Sequence, residues 1–331
     1  MGRALRIEGA GLWYHVMCRG NRGCRIFEDD KDFVALLGRL ATVASALQVE
    51  IHAYALMTNH VHLFVRTRAA NLGRFMQRLL SGHTTWYNLR HGSDGHLFQG
   101  RYKALLVEKN AYGSALSRYI HLNPVRVAGS GKQSLAQRQA QLRDYRWSSY
   151  PAMIGLVKAE AWLVRDATLG RFGDTRNEQQ QAYAAYVEQG LVEDISDPAA
   201  EAKAQSILGH DRFVDRIRRI LQRRPQTDGD TAHPRRQLLS ASFDQAVARV
   251  ARLYNVTPAD VLRPARVRSW NEARQVALWY ARERCAGMMS VREIGRAMGG
   301  ISACAVVVAH QRMAARLQHD KHLRRKLARL L

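Results

Sequence analysis

Cysteine is scarce in this sequence, and long apolar runs are missing from it. The cysteines among the 331 residues are scattered, at Cys18, Cys24, Cys285 and Cys304, which excludes a disulfide framework and a CxxC metal site. No stretch reaches the roughly 20 apolar residues that cross a bilayer, and no apolar run of signal-peptide length follows the first residues. We therefore expect a cytoplasmic protein.

Acidic residues are also few. The chain has 28 Asp and Glu against 51 Lys and Arg, a net charge of +23. An apolar content of 47% is ordinary for a globular chain and excludes disorder throughout. Such a charge indicates a polyanion partner, most often nucleic acid, although a basic ribosome-bound or membrane-surface protein stays open.

The charge is unevenly distributed along the chain. Residues 176–205 carry six acidic and two basic residues, a net charge of −4, whereas residues 263–331 carry 15 Lys and Arg against 4 Asp and Glu, a net charge of +11. The length suggests two domains. We predict one domain over residues 1–150, a helical and partly acidic connector over 151–241, and a second domain over 242–331.

Apolar periodicity in the first domain alternates between that of strands and that of helices. It predicts strands at 13–19, 49–57, 61–66 and 104–108, and helices after a cap at Asp29 or Asp30, at 71–90 and at 111–123. This order is that of a ferredoxin-like antiparallel sheet with helices packed on it. From residue 242 only helical periodicity occurs, so the predicted fold class is α+β followed by an all-α domain.

Two short sequence patterns contain candidate metal-binding and catalytic residues. His60 and His62 are two apart on a predicted strand, so their imidazoles project from one face and can hold a divalent metal. Tyr119 and Asn123 are four apart on a predicted helix, so a phenol and an amide oxygen share one helical face. Taken alone, each pattern is also compatible with a purely structural role. The histidines can be surface or packing residues, and the tyrosine can be a core aromatic.

Four motifs that follow one another along the chain favour a functional role for these residues over a purely structural one. They are NHVHLFV (59–65), GHLFQGRYKALLV (95–107), RYIHLNPVRVAG (118–129) and YRWSSY (145–150). The series, over residues 12–150, resembles the REP-associated tyrosine transposases, which are single-tyrosine HUH transposases. The resemblance implies that Tyr119 is the nucleophile and that His60, His62 and Asn123 bind a divalent cation. Imidazole ligands in general suit Zn or Ni, whereas the resemblance implies Mg or Mn.

The resemblance also implies the activity. Such enzymes cleave and rejoin single-stranded, hairpin-bearing repeat DNA through a 5′-phosphotyrosine intermediate, with no membrane partner. A non-catalytic DNA-binding regulator derived from a transposase is the alternative, and a rolling-circle initiator or relaxase shares the histidine chemistry but fits the motif order less well. The sequence leaves open whether the protein is a monomer or a homodimer.

Further basic and aromatic residues are candidate DNA contacts. Arg101, Tyr102 and Lys103 form a phosphate-and-stacking group in GRYK, with a solvated strand edge as the alternative. Arg126 is either a phosphate contact or a surface charge. We expect His121 to be structural, and His15 and His52 to pack or face solvent.

The C-terminal pattern predicts a helix-turn-helix. Ser290 can cap a helix over 291–298, Gly299 and Gly300 make a turn, and Ser302 can cap a second helix to about residue 317. An all-α packing module is the alternative, and the charge of +11 favours DNA.

Residues 243–316 resemble the C-terminal DNA-binding domain of the replication initiator DnaA, through 263–268, 273–277, Ile294-Gly295 and the two glycines. The resemblance implies DNA contacts from its basic loop and helices, here Arg266, Arg268, Arg274 and Ser302. The recognition helix opens with Ile301-Ser302-Ala303 instead of an Arg-Asp-His type sequence. We therefore expect phosphate contacts to duplex or hairpin stems and not the specificity of the initiator.

Overall fold

The computed structural model describes residues 7–126, 133–193, 195, 197, 198, 200–202, 206–222, 243–263, 268–285, 289–328 and 330. The chain forms two compact units, and their described residues lie within 7–215 and within 216–330. Most of the segment that we predicted as a connector lies within the first unit. Its residues Tyr183, Val187 and Leu191 share a buried cluster with Tyr150.

The first unit is built on one mixed sheet. Its strands are β1 (Leu12–Arg19), β2 (Val49–Met57), β3 (His60–Thr67), β4 (Lys103–Val107) and β5 (Ile207–Leu208). They are ordered β2-β3-β1-β4-β5; the first three neighbouring pairs are antiparallel, and β5 joins β4 in parallel. The first four strands have the predicted ferredoxin-like arrangement, and β5 extends its edge.

The helices of this unit are α1 (Asp30–Leu47), α2 (Leu72–His91), α3 (Lys109–Leu122), α4 (Leu135–Asp144), α5 (Tyr150–Met153), α6 (Asp166–Leu169) and α7 (Arg176–Gln189), and α8 (Asp211–Gln222) begins in it. Of these, α1 and α3 pack on the sheet. Asp29 caps α1 by accepting a hydrogen bond from the Lys31 backbone, while Asp32 bonds back in a capping box. Because Pro124 lies two residues after the end of α3, the α-helix does not continue, and a 3-10 turn follows at Asn123–Val125.

The second unit is helical in its described residues. It contains α9 (Phe243–Tyr254), α10 (Pro258–Leu262), α11 (Arg268–Cys285), α12 (Val291–Ala297), α13 (Ala303–His319) and α14 (Lys321–Leu327). Ser290 and Ser302 cap α12 and α13 as predicted. A Cβ on Gly295 would lie 2.3 Å from the Ile301 carbonyl oxygen, so only glycine allows this close approach of the turn to α12.

Candidate active site and nucleic-acid interface

The two histidines of β3 lie on the sheet face that α3 covers. The His60 and His62 ring centroids are 5.2 Å apart, and Phe64, next on the same face, shares a buried cluster with Tyr119 of α3. The His62 and Tyr119 ring centroids are 5.8 Å apart. The structure therefore brings the predicted ligand pair beside the predicted nucleophile.

Hydrogen bonds fix the ring of His60. The Asn59 amide nitrogen donates to the Gly23 carbonyl at 3.2 Å, so its oxygen faces His60 Nδ1, 2.7 Å away, and must accept. Nδ1 therefore carries the hydrogen, and the lone pair lies on Nε2. Burial, followed by the positive charge of Arg19, lowers the pKa of His60. A neutral imidazole with a free Nε2 is the form that binds metal.

His62 has a second histidine as its partner. His62 Nδ1 lies 2.9 Å from His15 Nε2, with the two rings stacked at 5.1 Å. Burial lowers the pKa of His15 to about 4. Burial and the two neighbouring histidines hold the pKa of His62 well below its usual value. We expected His15 to pack or to face solvent; it packs, and it also bonds a candidate ligand.

Tyr119 is 9% exposed and surrounded by opposing charges. Burial raises the pKa of its phenol, and Asp197 raises it further through its charge and by accepting a hydrogen bond. The Arg126 guanidinium, 5.6 Å from the ring centroid, and a hydrogen bond with Asn123 lower it. The pKa of Tyr119 is raised on balance, so the protein alone does not favour the phenolate.

Asn123 follows the last residue of α3. Its amide nitrogen donates to the Tyr119 backbone carbonyl at 2.8 Å, which orients the side chain along the turn that carries the nucleophile. The described residues contain no group of three or more His, Cys, Asp or Glu placed to hold a metal. The candidate donor set is instead two imidazole nitrogens and one amide oxygen, and the Nε2 atom left free on His60 fits such a set.

The segment after α7 brings Asp197 to Tyr119, the predicted nucleophile. Arg118 pairs with Glu193 at 3.1 Å, and Arg126 donates to the Ile195 carbonyl. Ile195 packs against the cluster that includes Tyr119. Asp197 escaped sequence reasoning because its segment reads as an acidic connector, and no spacing links it to α3.

The basic residues of GRYK differ in exposure from its tyrosine. Lys103 and Arg101 are exposed. Lys103 lies opposite Met17, which lies opposite His62, so the lysine shares the sheet face of the histidines. Tyr102, however, is only 8% exposed. The prediction that Tyr102 stacks on a base is wrong for this structure, because its ring is packed inside.

Two other basic residues flank the site. Arg126, a predicted DNA contact, is half-buried and bound to the Ile195 carbonyl and the Tyr119 ring. Arg19 is exposed and lies opposite His60 at the end of β1. Sequence reasoning missed Arg19, which became apparent only from the β1–β3 register.

His121 and His52 are structural residues, as expected. Buried His121 bonds the Ser149 hydroxyl at 2.7 Å through Nε2 and the Tyr183 hydroxyl at 2.8 Å through Nδ1. Tyr183 also bonds the Ser117 hydroxyl, so α3 is tied to α7 two residues before and two residues after Tyr119. His52 Nδ1 lies 3.1 Å from the Val164 carbonyl oxygen.

The helix-turn-helix has the predicted turn. Gly299 and Gly300 both have positive φ, 88° and 81°, and they connect α12 to α13. Cys304, Ala305 and Val308 are exposed on α13. These short side chains can contact thymine methyl groups but cannot make bidentate contacts with base edges.

The predicted contacts of this unit divide between buried and exposed positions. Arg274 is only 8% exposed and donates to the carbonyls of Val261, Leu262 and Met298. The prediction that Arg274 binds DNA is therefore corrected: its guanidinium joins α10, α11 and the turn. Exposed Ser302 is the N-cap of α13. Arg266 lies outside the described residues, and only the backbone of Arg268, which begins α11, is described.

Two exposed arginines of α12 were not predicted from the sequence as DNA contacts. Arg292 and Arg296, four apart, are both exposed on this helix, which precedes the turn. Arginines at this position can reach phosphates when the next helix enters a major groove.

No helix of the described residues is long and apolar enough to cross a membrane.

Comparison with known proteins supports both halves of this description. Residues 10–123 match the family described as "Transposase IS200 like", and residues 243–313 match "Bacterial dnaA protein helix-turn-helix". A search among curated proteins gave no match. Residues 10–123 are thus similar to IS200-like transposases and residues 243–313 to the helix-turn-helix of DnaA, in agreement with the two resemblances, and these similarities support transposase and DNA-binding functions.

One similar solved structure is that of a REP-associated tyrosine transposase bound to a REP hairpin. It is 16% identical to this chain, with a TM-score of 0.38, and the match covers 51% of this chain and 94% of the other.

Proposed function

We propose that this protein is a metal-dependent transposase that cleaves and rejoins single-stranded, hairpin-bearing repeat DNA through a 5′-phosphotyrosine intermediate. The observation that carries the proposal is the placement of Tyr119 5.8 Å from the His62 ring, on the sheet face that also presents His60. A phenol beside a pair of neutral imidazoles is the combination that this chemistry requires.

The residues that would hold the cation are His60, His62 and Asn123, and Mg or Mn is the proposed metal. When bound, it would neutralise charge on the scissile phosphate and favour the phenolate. The lowered pKa values of both histidines keep them neutral at physiological pH and able to donate lone pairs. Asn123, bonded to the backbone of Tyr119, links the proposed site to the nucleophile.

In the proposed reaction, the Tyr119 oxygen attacks phosphorus and the bond from phosphorus to the 3′ oxygen breaks. The phenol loses its proton, and the leaving 3′ oxygen gains one to become a hydroxyl. Because the phosphotyrosine keeps the energy of a phosphodiester, attack by another 3′ hydroxyl reverses the step and joins strands without ATP. The positive charge of Arg126 stabilises negative charge on the phenol oxygen, whereas the negative charge of Asp197 destabilises it.

Two surfaces would hold the DNA. Arg19, Arg101 and Lys103 are exposed at the end of the sheet that carries His60, where they can bind the phosphates of a single strand. The helix-turn-helix would hold duplex or hairpin stem, chiefly through phosphate contacts. With such a partner, the proposed location is the cytoplasm, in association with the nucleoid.

The test is formation of a covalent adduct. Full-length protein, a labelled single-stranded hairpin oligonucleotide and Mn or Mg should give an adduct that survives denaturing electrophoresis. Tyr119→Phe should abolish it. Tyr112→Phe, on the same helix, is the matched control and should retain it. If wild type gives no adduct with any repeat-derived hairpin yet binds DNA, the non-catalytic regulator is the correct function.

A further inference from the structure

We infer that His15 is a positioning residue that holds His62 in the one tautomer able to bind metal. This inference rests on the proposed function, since it assigns His62 to a metal site. His15 lies on β1, two residues before Met17, which is directly opposite His62. His15 is thus a diagonal neighbour of His62 on the same face, and its Nε2 comes within 2.9 Å of His62 Nδ1.

Because His15 is buried, an imidazole at this position is less favourable for the stability of the fold than an apolar ring. The side chain is 0% exposed, and its Nδ1 has no hydrogen-bond partner among the described residues. A buried polar group without a partner destabilises the fold. A phenyl ring would fill the same space beside His62 and Tyr119 without that cost. The contact with His62 is the interaction that a phenyl ring could not make.

Only one of two proton arrangements allows His62 to bind metal through Nε2. If His62 Nδ1 donates to His15 Nε2, the lone pair of His62 lies on Nε2, and the hydrogen of His15 lies on Nδ1. If His15 Nε2 donates instead, His62 carries its hydrogen on Nε2 and cannot bind a metal there.

The surroundings of His60 suggest which arrangement operates. There the Asn59 oxygen accepts from Nδ1 and leaves Nε2 free. His15 would do for His62 what Asn59 does for His60. Partners of this kind orient ligating histidines, and their loss typically weakens metal affinity by about 10–100-fold.

The test is the affinity of the full-length protein for Mn²⁺ without DNA, measured by the electron paramagnetic resonance signal of free Mn²⁺. His15→Phe should weaken binding by about 10–100-fold. His15→Gln, whose amide oxygen can accept from His62 Nδ1, should recover part of the loss. His52→Phe is the matched control, since His52 is a buried histidine of β2 bonded to a backbone carbonyl. It should bind Mn²⁺ like wild type.

A second measurement does not depend on a variant. Nitrogen-15 NMR of the histidine rings in wild type with Mg²⁺ should show the hydrogen of His62 on Nδ1. The inference is overturned by a hydrogen on Nε2, by a folded His15→Phe protein with wild-type affinity, or by a wild type that binds no Mn²⁺. If His15→Phe weakens Mn²⁺ binding but wild type forms no adduct with DNA, the inference holds and the proposed function fails.

Discussion

The Tyr119 ring stands edge-on to the His62 imidazole, at an angle of 75° between the planes and 5.8 Å between centroids. Because α3 crosses the sheet at His62, a residue near the end of a helix and one at the end of a strand meet although 57 positions separate them. The same packing encloses the phenol. The proposed nucleophile and the proposed metal ligand therefore share one partly dry environment, in which nearby charges act strongly.

Asp197 and Arg126 should shift the pH dependence of adduct formation in opposite directions. Since the pKa of Tyr119 is raised, the rate should increase as pH rises. Asp197→Asn removes a charge that raises this pKa, so the profile should move to lower pH, with a several-fold faster rate near pH 7.5. Arg126→Gln should move it to higher pH. Single-turnover rates between pH 6.5 and 9.5 measure both, and shifts of the same sign would contradict this account.

Lys103 should contribute one phosphate contact to single-strand binding. Lys103→Ala should weaken binding of a hairpin oligonucleotide several-fold and reduce the slope of log affinity against log salt by roughly 0.7. Lys31 is also exposed but lies on α1, so Lys31→Ala should leave the affinity and the salt slope unchanged. Fluorescence anisotropy at several salt concentrations tests this. An unchanged slope for Lys103→Ala would remove it from the interface.

Arg274 should act on stability, and Arg296 on duplex binding. Arg274→Met leaves backbone carbonyls of three residues without their donor and should destabilise the second unit by about 1–3 kcal/mol or more. Exposed Arg296→Ala should leave the unfolding free energy within about 0.5 kcal/mol while weakening duplex binding. Urea unfolding and duplex titrations separate the two effects. Reduced duplex affinity in a fully stable Arg274→Met protein would restore the prediction that we corrected.

The first unit should lose stability in mild acid. Burial lowers the pKa of His121 to about 3, and those of His52 and His83 to about 4. Between those values and about 6.5, the unfolded chain binds protons that the folded chain does not, so the unfolding free energy should fall as pH falls through this window. Urea unfolding at pH 7, 6 and 5 measures the change. His121→Asn should flatten it, and a stability that is constant from pH 7 to 5 would contradict the prediction.

Patterns within short stretches of sequence predicted the features that depend on neighbouring residues, such as helix ends and the faces of strands. Capping residues and proline placed the ends of α1, α3, α12 and α13 within about two residues, and the spacing of His60 and His62 put them on one face. A strand has only two faces, and a helix face repeats every four residues, so such signals survive in the sequence.

Contacts between distant segments could not be predicted in the same way. His15 meets His62 only through the β1–β3 register, and Asp197 reaches Tyr119 from a segment 78 residues further along. The burial of Arg274 depends on carbonyls from two other segments, which the resemblance that marked this arginine as a DNA contact does not reveal. These positions are specified by the packing of the whole unit.

The hydrogen bonds from Tyr183 to Ser117 and His121 determine how short a fragment of the transposase-like part of the chain can be. A fragment that stops at residue 150 contains all the proposed ligands and the nucleophile, yet it loses α7 and with it the anchors on both sides of Tyr119. A fragment that runs to residue 222, where α8 ends, keeps them, together with Ile195 and Asp197. A crystallisation fragment of the transposase-like part should therefore end about 70 residues beyond YRWSSY, the last of the four motifs.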